Sequence, residues 1–304
     1  MENEGRVALE LRELSKTYGR GAKAKRAVSD VTLSVRCGEV YGFLGPNGAG
    51  KSTTIRMALG LIRPTSGEVR LFGRTVTERA ALSRVGSLVD GGTFYPFLSG
   101  RDNLRVLART RGCDDRRIDT VLERVDLARD GKRKFKGYST GMKQRLGVAA
   151  ALLDDPDLII LDEPANGLDA AGIQDMRGLI RALADEGKAV FLCSHLLHEV
   201  QQVCDRLAIV RKGELIREAS TAELLGTSLR LVIEARPMDE ALKVLASRQP
   251  IEMPSGQVSV EGGQEDAPAI VRDLVTGGVD VFRIAAEEQN LEKVFLEMTS
   301  DPDA

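Results

Sequence analysis

The chain has 304 residues, enough to bury a full core as one large domain or two smaller ones, and a formal net charge of −2 that supplies no basic face for nucleic acid. No apolar stretch approaches the roughly 18 residues of a spanning helix, and the opening MENEGRVALELREL lacks the basic-then-apolar pattern of a secretory signal. Cys37, Cys113, Cys193 and Cys204 stand far apart without CxxC spacing and read as reduced packing residues, so the expectation is a soluble intracellular protein.

In chain order, VALELREL, VTLSVR and EVYGFLG read as β-strands, and the loop at 45–52 then opens a helix running to about Leu61. EVRLFG and VGSLV are further strands, separated from that helix by a PTSGE turn. Helical periodicity dominates 100–154, with Ser99 and Asp102 forming an S-x-x-D capping pattern. DLIILD (157–162) is a short apolar run ending in acid, as expected of a parallel strand buried on both faces. A helix over about 169–186, the strand AVFLC and a helix through HLLHEVQQVC follow. This alternation predicts a parallel α/β sheet with an antiparallel edge supplied by the N-terminal strands. Beyond about Gly226 the pattern changes to strand LRLVIEA, helix MDEALKVLASR, strand QVSVEG, helix EDAPAIVRDLVTGG, strand VDVFRIAAEE and a closing helix NLEKVFLEMT. That second region carries no histidine, cysteine or glycine-rich loop, and reads as a structural or regulatory appendage.

GPNGAGKS fits G-x-x-x-x-G-K-[ST] at Gly45, Gly50, Lys51 and Ser52. Glycines let backbone N–H groups turn inward around a β-phosphate, Lys51 reaches the β- and γ-phosphates, Ser52 can ligate Mg²⁺, and the following helix aims its N-terminus at the anion. Far downstream, Asp162 and Glu163 end the buried strand. Two acids at a strand end are ordinarily just solvated. Coupled to a phosphate loop, one can hold Mg²⁺ and the other can orient or deprotonate an attacking water. His195 follows the next strand, where it would emerge at the same sheet edge, the place where ligands bind in parallel sheets. His198, on the helix beyond, reads as structural.

Between loop and carboxylates lies YSTGMKQRLGVAAALLDDPDLIILDEPANGLD, and here the chain resembles the ATP-binding-cassette (ABC) ATPases. Ser139, Thr140 and Gly141 fall on that family's signature segment, Asp169 on its D-loop acid, and SHLLHEV on its switch-histidine segment. Tyr18, in SKTYG, stands where the family stacks an aromatic ring on adenine. The resemblance covers about residues 7–225. It implies an α/β P-loop NTPase cassette over 1–225, with a mixed sheet core, a helical signature subdomain at about 91–155 and an antiparallel β edge. A small C-terminal α+β accessory domain would occupy 226–304, its ending similar to that found on ABC-2-type exporter cassettes. The resemblance further implies ATP and Mg²⁺ as ligands. Nucleotide contacts fall on Tyr18, Gly45, Pro46, Asn47, Gly48, Ala49, Gly50, Lys51, Ser52, Thr53, Ser139, Thr140, Gly141 and Asp169. Metal contacts fall on Ser52, Asp90 and Asp162, and catalysis on Glu163 and His195.

Ser139 has N-cap character, so its helix would present free N–H groups to a second anion. In the family that site closes over nucleotide held by a second copy, which implies a homodimer or a second cassette chain. Two segments depart from the family pattern. Thr140 and Met142 replace the usual glycine and glutamine of the signature, a form similar to antibiotic- and drug-efflux exporters. Asp90 stands where most relatives carry glutamine. Phe94, Tyr95 and Phe97 are three of only twelve aromatic residues and suggest either a contact surface or an anchor for the helical subdomain. In ABC transporters this region receives the membrane subunit. RGAKAKR (20–26) and KRKFK (132–136) read as solvated loops, with favourable potential for ATP or lipid headgroups as the lesser reading. The expected role is the ATPase subunit of a separate membrane permease, peripheral on the inner face of the cell membrane, exporting antibiotics or drugs, peptides or lipids. The alternatives are a soluble ABC ATPase acting on nucleic acid or ribosomes, and a nucleotide binder without turnover. Against the first, Ser52 and Ser139 are only 87 residues apart with no sustained heptads between them. Against the second stand the intact Asp162, Glu163 and His195. No nucleic-acid partner is expected, and the chain does not specify cargo.

Overall fold

Two long strands, β1 (Val7–Tyr18) and β2 (Lys25–Arg36), pair antiparallel, with Tyr18 opposite Lys25 and Thr17 opposite Arg26. The structure is a computed structural model and describes residues 5–89, 91, 93–225, 230–253, 255–286, 291 and 295. Next come β3 (Val40–Leu44), α1 (Lys51–Ala58), β4 (Ser66–Leu71), β5 (Arg74–Thr75), α2 (Arg79–Leu82) and β6 (Val85–Leu88). The helical region holds α3 (Gly100–Arg111), α4 (Arg116–Arg124) and α5 (Thr140–Leu152). The core resumes with β7 (Leu158–Asp162), α6 (Ala170–Asp185), β8 (Ala189–Ser194), α7 (Leu197–Val203), β9 (Arg206–Arg211), β10 (Glu214–Ser220) and α8 (Thr221–Leu225).

Two sheets result. One is antiparallel, ordered β2-β1-β4-β5, and the central sheet is ordered β10-β9-β3-β8-β7-β6. In the central sheet β9, β3, β8, β7 and β6 run parallel and only β10 is antiparallel. The N-terminal strands therefore form a sheet of their own, and the antiparallel edge of the central sheet is β10. Its sequence ELIREAS alternates too weakly to announce a strand. Parallel strands must be covered on both faces, and β7 shows it: Leu158, Ile159, Ile160 and Leu161 are wholly buried. One apolar cluster joins the two sheets through Leu9, Leu11, Leu33, Phe43, Ile160 and Phe191, with Ile55 and Met57 of α1 within it.

α3, α5 and α6 start at side-chain caps. Ser99 Oγ accepts the Asp102 N–H at 3.0 Å and donates to the Asp102 carboxylate at 2.5 Å, the expected cap of α3. α5 sits close against β6 because glycines permit it. A Cβ on Gly147 would come within 2.6 Å of Leu88 Cδ1, and one on Gly86 within 2.1 Å of the Ala151 carbonyl oxygen.

The chain divides into two compact units after Thr221, the second reaching residue 294. In the second, β11 (Arg230–Arg236), α9 (Met238–Val244), β12 (Ile251–Glu252), β13 (Val258–Glu261), α10 (Ala267–Thr276) and β14 (Asp280–Ala286) give an antiparallel sheet ordered β12-β13-β11-β14. Leu231, Ile233 and Ala235, alternate residues of β11, pack with Ala241, Ile270 and Leu274 of the two helices. The closing helix expected over 290–299 lies outside the described residues apart from Leu291 and Phe295. Among the described residues no helix is long and apolar enough to cross a membrane.

Candidate nucleotide site

The phosphate loop joins β3 to α1, and the packing around it dictates its glycines. A Cβ on Gly45 would meet the Val210 carbonyl oxygen at 2.4 Å, and one on Gly50, at φ +103°, would meet that of Ala27 at 2.5 Å. Gly48, at φ +82°, has open space where a side chain would stand, leaving its backbone accessible to a ligand. The loop is tightened by Ala49 N–H donating to the Pro46 carbonyl at 3.1 Å. Because α1 begins at Lys51, the N–H groups of its first turn have no partner inside the helix and face an anion arriving at that end. Lys51 is only 8 % exposed, and its Nζ rests on the carbonyls of Gly45 at 2.6 Å and Pro46 at 3.4 Å. An ammonium held there by neutral acceptors sits at the loop mouth, where phosphate oxygens can replace them.

The parallel register brings the other chemistry to the same edge. β8 lies between β3 and β7, so the residues following all three strands share one carboxyl end. Asp162 closes β7 opposite Cys193. Glu163 follows at φ +52°, a left-handed conformation costing a non-glycine residue about 1–3 kcal/mol. Its N–H donates to the Cys193 carbonyl at 2.9 Å, and its Oε2 lies 2.7 Å from His195 Nδ1 and accepts the His195 N–H at 3.4 Å. Strain and partners together aim one carboxylate. Burial pushes the adjoining Cys193 thiol well above its ordinary pKa, so it stays a neutral packing group.

A cavity of about 570 Å³ opens over these residues. Its walls include Pro46, Asn47, Gly48, Gly50, Lys51, Ser52 and Thr53 of the loop and helix, Asp162 and Glu163 of the sheet, and Tyr18 from the end of β1. Gly45 and Ala49 shape the loop from behind. Tyr18 is 42 % exposed, as a ring awaiting a flat partner must be, with Lys16 Nζ 5.2 Å from its centroid. Lys25, Arg26, Ala27 and Lys212 also line the cavity. The first two belong to the basic run that reads as a solvated loop; they are exposed, yet they stand in the nucleotide wall. Lys212 has no signal in the linear sequence beyond its Lys-Gly pair.

The signature residues lie elsewhere. Ser139 caps α5 by accepting the Met142 N–H at 3.2 Å, so this helix also presents N–H groups at its start. Thr140 and Gly141 pack against the segment after β7: a Cβ on Gly167 would lie 2.9 Å from Thr140 Cγ2, and one on Gly141 3.3 Å from Leu168 Cδ2. Asp169 accepts the Gly172 N–H at 2.9 Å as the N-cap of α6. None of these four residues lines the cavity of the single chain. Asp90 lies outside the described residues. His198 bonds Gln202 on its own helix at 2.7 Å.

The aromatic loop splits in two. Phe94 meets Phe135 in a tilted contact at 5.1 Å between ring centroids, and Phe135 meets Tyr138 at 5.8 Å, anchoring the helical region. Tyr95 and Phe97 pair at 5.7 Å and are 51 % and 66 % exposed.

Among the described residues no group of three or more His, Cys, Asp or Glu side chains could hold a metal alone. Ser52 and Asp162, a hydroxyl and a carboxylate lining one cavity, fit an Mg²⁺ ion that takes its other ligands from phosphates and water.

Residues 28–166 match the family model described as "ABC transporter". The chain is 42 % identical to the ABC transporter ATP-binding protein YdbJ of Bacillus subtilis over 91 % of its own length and 92 % of the relative's. It is 39 % identical to the bacitracin transport ATP-binding protein BcrA of Bacillus licheniformis, covering 94 % and 95 %. Among solved structures, the dimeric post-hydrolysis state of an ATP-binding cassette bound to ADP and Pi is similar at a TM-score of 0.63 and 26 % identity, covering 70 % of this chain and 99 % of that one.

Proposed function

The chain belongs to the ABC transporters as an ATP-binding subunit that hydrolyses ATP, and from that premise we propose how its residues divide the work and what they drive. The cassette spans about residues 1–225, and residues 226–304 form an accessory domain. Lys51 and the backbone N–H groups of Gly48 to Thr53 bind and neutralise the β- and γ-phosphates. Tyr18 stacks on the base. Ser52 and Asp162 would hold Mg²⁺, which would supply charge neutralisation to the phosphates, with Asp90 a further candidate. Glu163 accepts the proton of the attacking water, and His195 fixes the carboxylate that receives it. The observation that carries this reading is that Glu163, paired with His195 at 2.7 Å, lines one cavity with Lys51.

Ser139, Thr140 and Gly141 serve a second copy. Ser139 caps the helix that Thr140 and Gly141 begin, none of the three lines its own chain's cavity, and a head-to-tail homodimer gives them a γ-phosphate to close over, with Asp169 at the N-cap of α6. The exposed Tyr95–Phe97 pair, next along the chain to Phe94, which lines a small pocket with Leu59, Leu61, Leu107 and Arg111, receives a separate membrane permease. The subunit therefore works peripherally on the inner face of the cell membrane. Likeness to a bacitracin transport protein favours export of antibiotics, with other drugs, peptides and lipids as alternatives.

The test is Glu163→Gln. Purified variant should bind ATP as wild type does, lose about a hundredfold or more of its turnover, and elute as an ATP-dependent dimer. Turnover near the wild-type rate would remove Glu163 from the role of base. Detergent pull-down of the tagged variant with ATP should recover a multi-spanning protein in stoichiometric amount. Ribosomal proteins or DNA-bound factors alone would overturn the transporter assignment.

A further inference from the structure

Four cationic side chains line the nucleotide cavity, Lys25, Arg26, Lys51 and Lys212, against two carboxylates, Asp162 and Glu163. The phosphate loop accounts for Lys51 only. The other three come from two segments that the backbone fastens to the loop from outside. Lys212 and Gly213 are the two central residues of the β9–β10 turn, between the paired Arg211 and Glu214, and have φ of +50° and +88°. Both being positive, this is the two-residue hairpin turn in which asparagine or glycine is the favoured first residue. A lysine occupies that position instead.

The turn is not free to drift. Gly213 N–H donates to the Ala49 carbonyl of the phosphate loop at 3.1 Å, and the Gly213 carbonyl accepts the Ser29 N–H of β2 at 2.8 Å. A Cβ on Gly213 would meet the Ala27 carbonyl at 2.8 Å, so turn, loop and β2 are in backbone contact. Arg26 precedes Ala27 in β2, and Lys25 stands opposite Tyr18, the ring assigned to the base. Backbone hydrogen bonds and glycine-only contacts thus hold the segments that carry these three cations against the phosphate loop.

We infer that Lys25, Arg26 and Lys212 form a second, outer clamp for the phosphate chain, one that raises affinity for a multiply charged nucleotide tail and takes no part in the bond-breaking step. The inference rests on the nucleotide site proposed above. A phosphate chain held by the loop carries its remaining negative charge toward the cavity mouth, where these exposed side chains meet it in high dielectric. Their contribution is therefore additive, modest and screened by salt.

The experiment is nucleotide titration of the full chain by calorimetry, with ATP, ADP and adenosine, at low and high salt, for Lys212→Gln and for the double variant Arg26→Gln, Lys212→Gln. ATP affinity should fall about three- to fivefold per charge removed at low salt. ADP should fall less, adenosine should not change, and the dependence of ATP affinity on salt should flatten. Lys212→Arg should bind ATP as wild type does. Unchanged ATP affinity and salt dependence would overturn the clamp, as would an equal loss for adenosine, which would place these residues on the base or in the scaffold. Wild-type chain that fails to bind ATP at all would instead sink the nucleotide site itself.

Discussion

His195 and Glu163 are separable by experiment because the structure gives them different duties. Glu163 is held in a left-handed backbone conformation, and among the described residues the ring and backbone N–H of His195 fix its carboxylate by hydrogen bonding. His195→Ala should therefore lower kcat by about ten- to a hundredfold while leaving KM for ATP near its wild-type value. A rise in KM with unchanged kcat would assign the histidine to binding. Cys113 offers a second residue-scale check. Burial first, and then its hydrogen bond to Asp154, push the thiol up to about 11. A group raised in this way is protonated near neutrality, so alkylation at about pH 8 should be slow and should accelerate as pH climbs toward that value. Asp154→Asn should lower the pKa and speed the reaction at about pH 8; an unchanged rate would show that the carboxylate plays no part. Cys193 and Cys204, buried with raised pKa, should react only on unfolding.

At the scale of elements, the decisive contact is between α5 and β6. The signature residues ride on the N-terminus of α5, and the helix reaches its place because Gly147 and Gly86 remove side chains where helix and strand meet. Gly147→Ala should cost about 1–3 kcal/mol in denaturant unfolding, since Leu88 must move and the site is already filled. Its ATPase activity should fall while ATP affinity holds, because the loop at Gly45–Ser52 belongs to another element. Loss of ATP binding in a folded variant would contradict that separation. The same scale shows where sequence pattern is readable. β7 and β8 are continuous apolar runs because both their faces are covered, whereas β10 lies at an edge and alternates weakly. S-x-x-D at Ser99 is legible because a cap is a local interaction.

The whole molecule poses the question of trans action. In one chain the cavity holds Tyr18, the phosphate loop, Asp162 and Glu163, while Ser139, Thr140 and Gly141 stand outside it. Ser139→Ala chain should bind ATP normally yet fail to hydrolyse it, and Lys51→Ala chain should fail at binding. Mixing the two should restore part of the activity, because a mixed pair contains one intact loop facing one intact signature. No recovery over the sum of the separate chains would argue against the head-to-tail arrangement. The second unit has its own apolar core, and ATP affinity is expected not to depend on it.

The sequence by itself determined the phosphate loop, the acidic strand end, the capped signature helix and the alternation that makes the core an α/β sheet. Each depends on residues adjacent along the chain: a glycine where a turn needs positive φ, an apolar run where both faces are covered, a hydroxyl where a helix begins. Tertiary structure alone decided that Lys25, Arg26 and Lys212 share a wall with Lys51, that His195 meets Glu163, and that the antiparallel strands form a separate sheet with β10 at the edge of the central one. Those facts depend on strand order and on backbone hydrogen bonds between distant segments, such as Gly213 to Ala49, for which no local pattern of residue types exists.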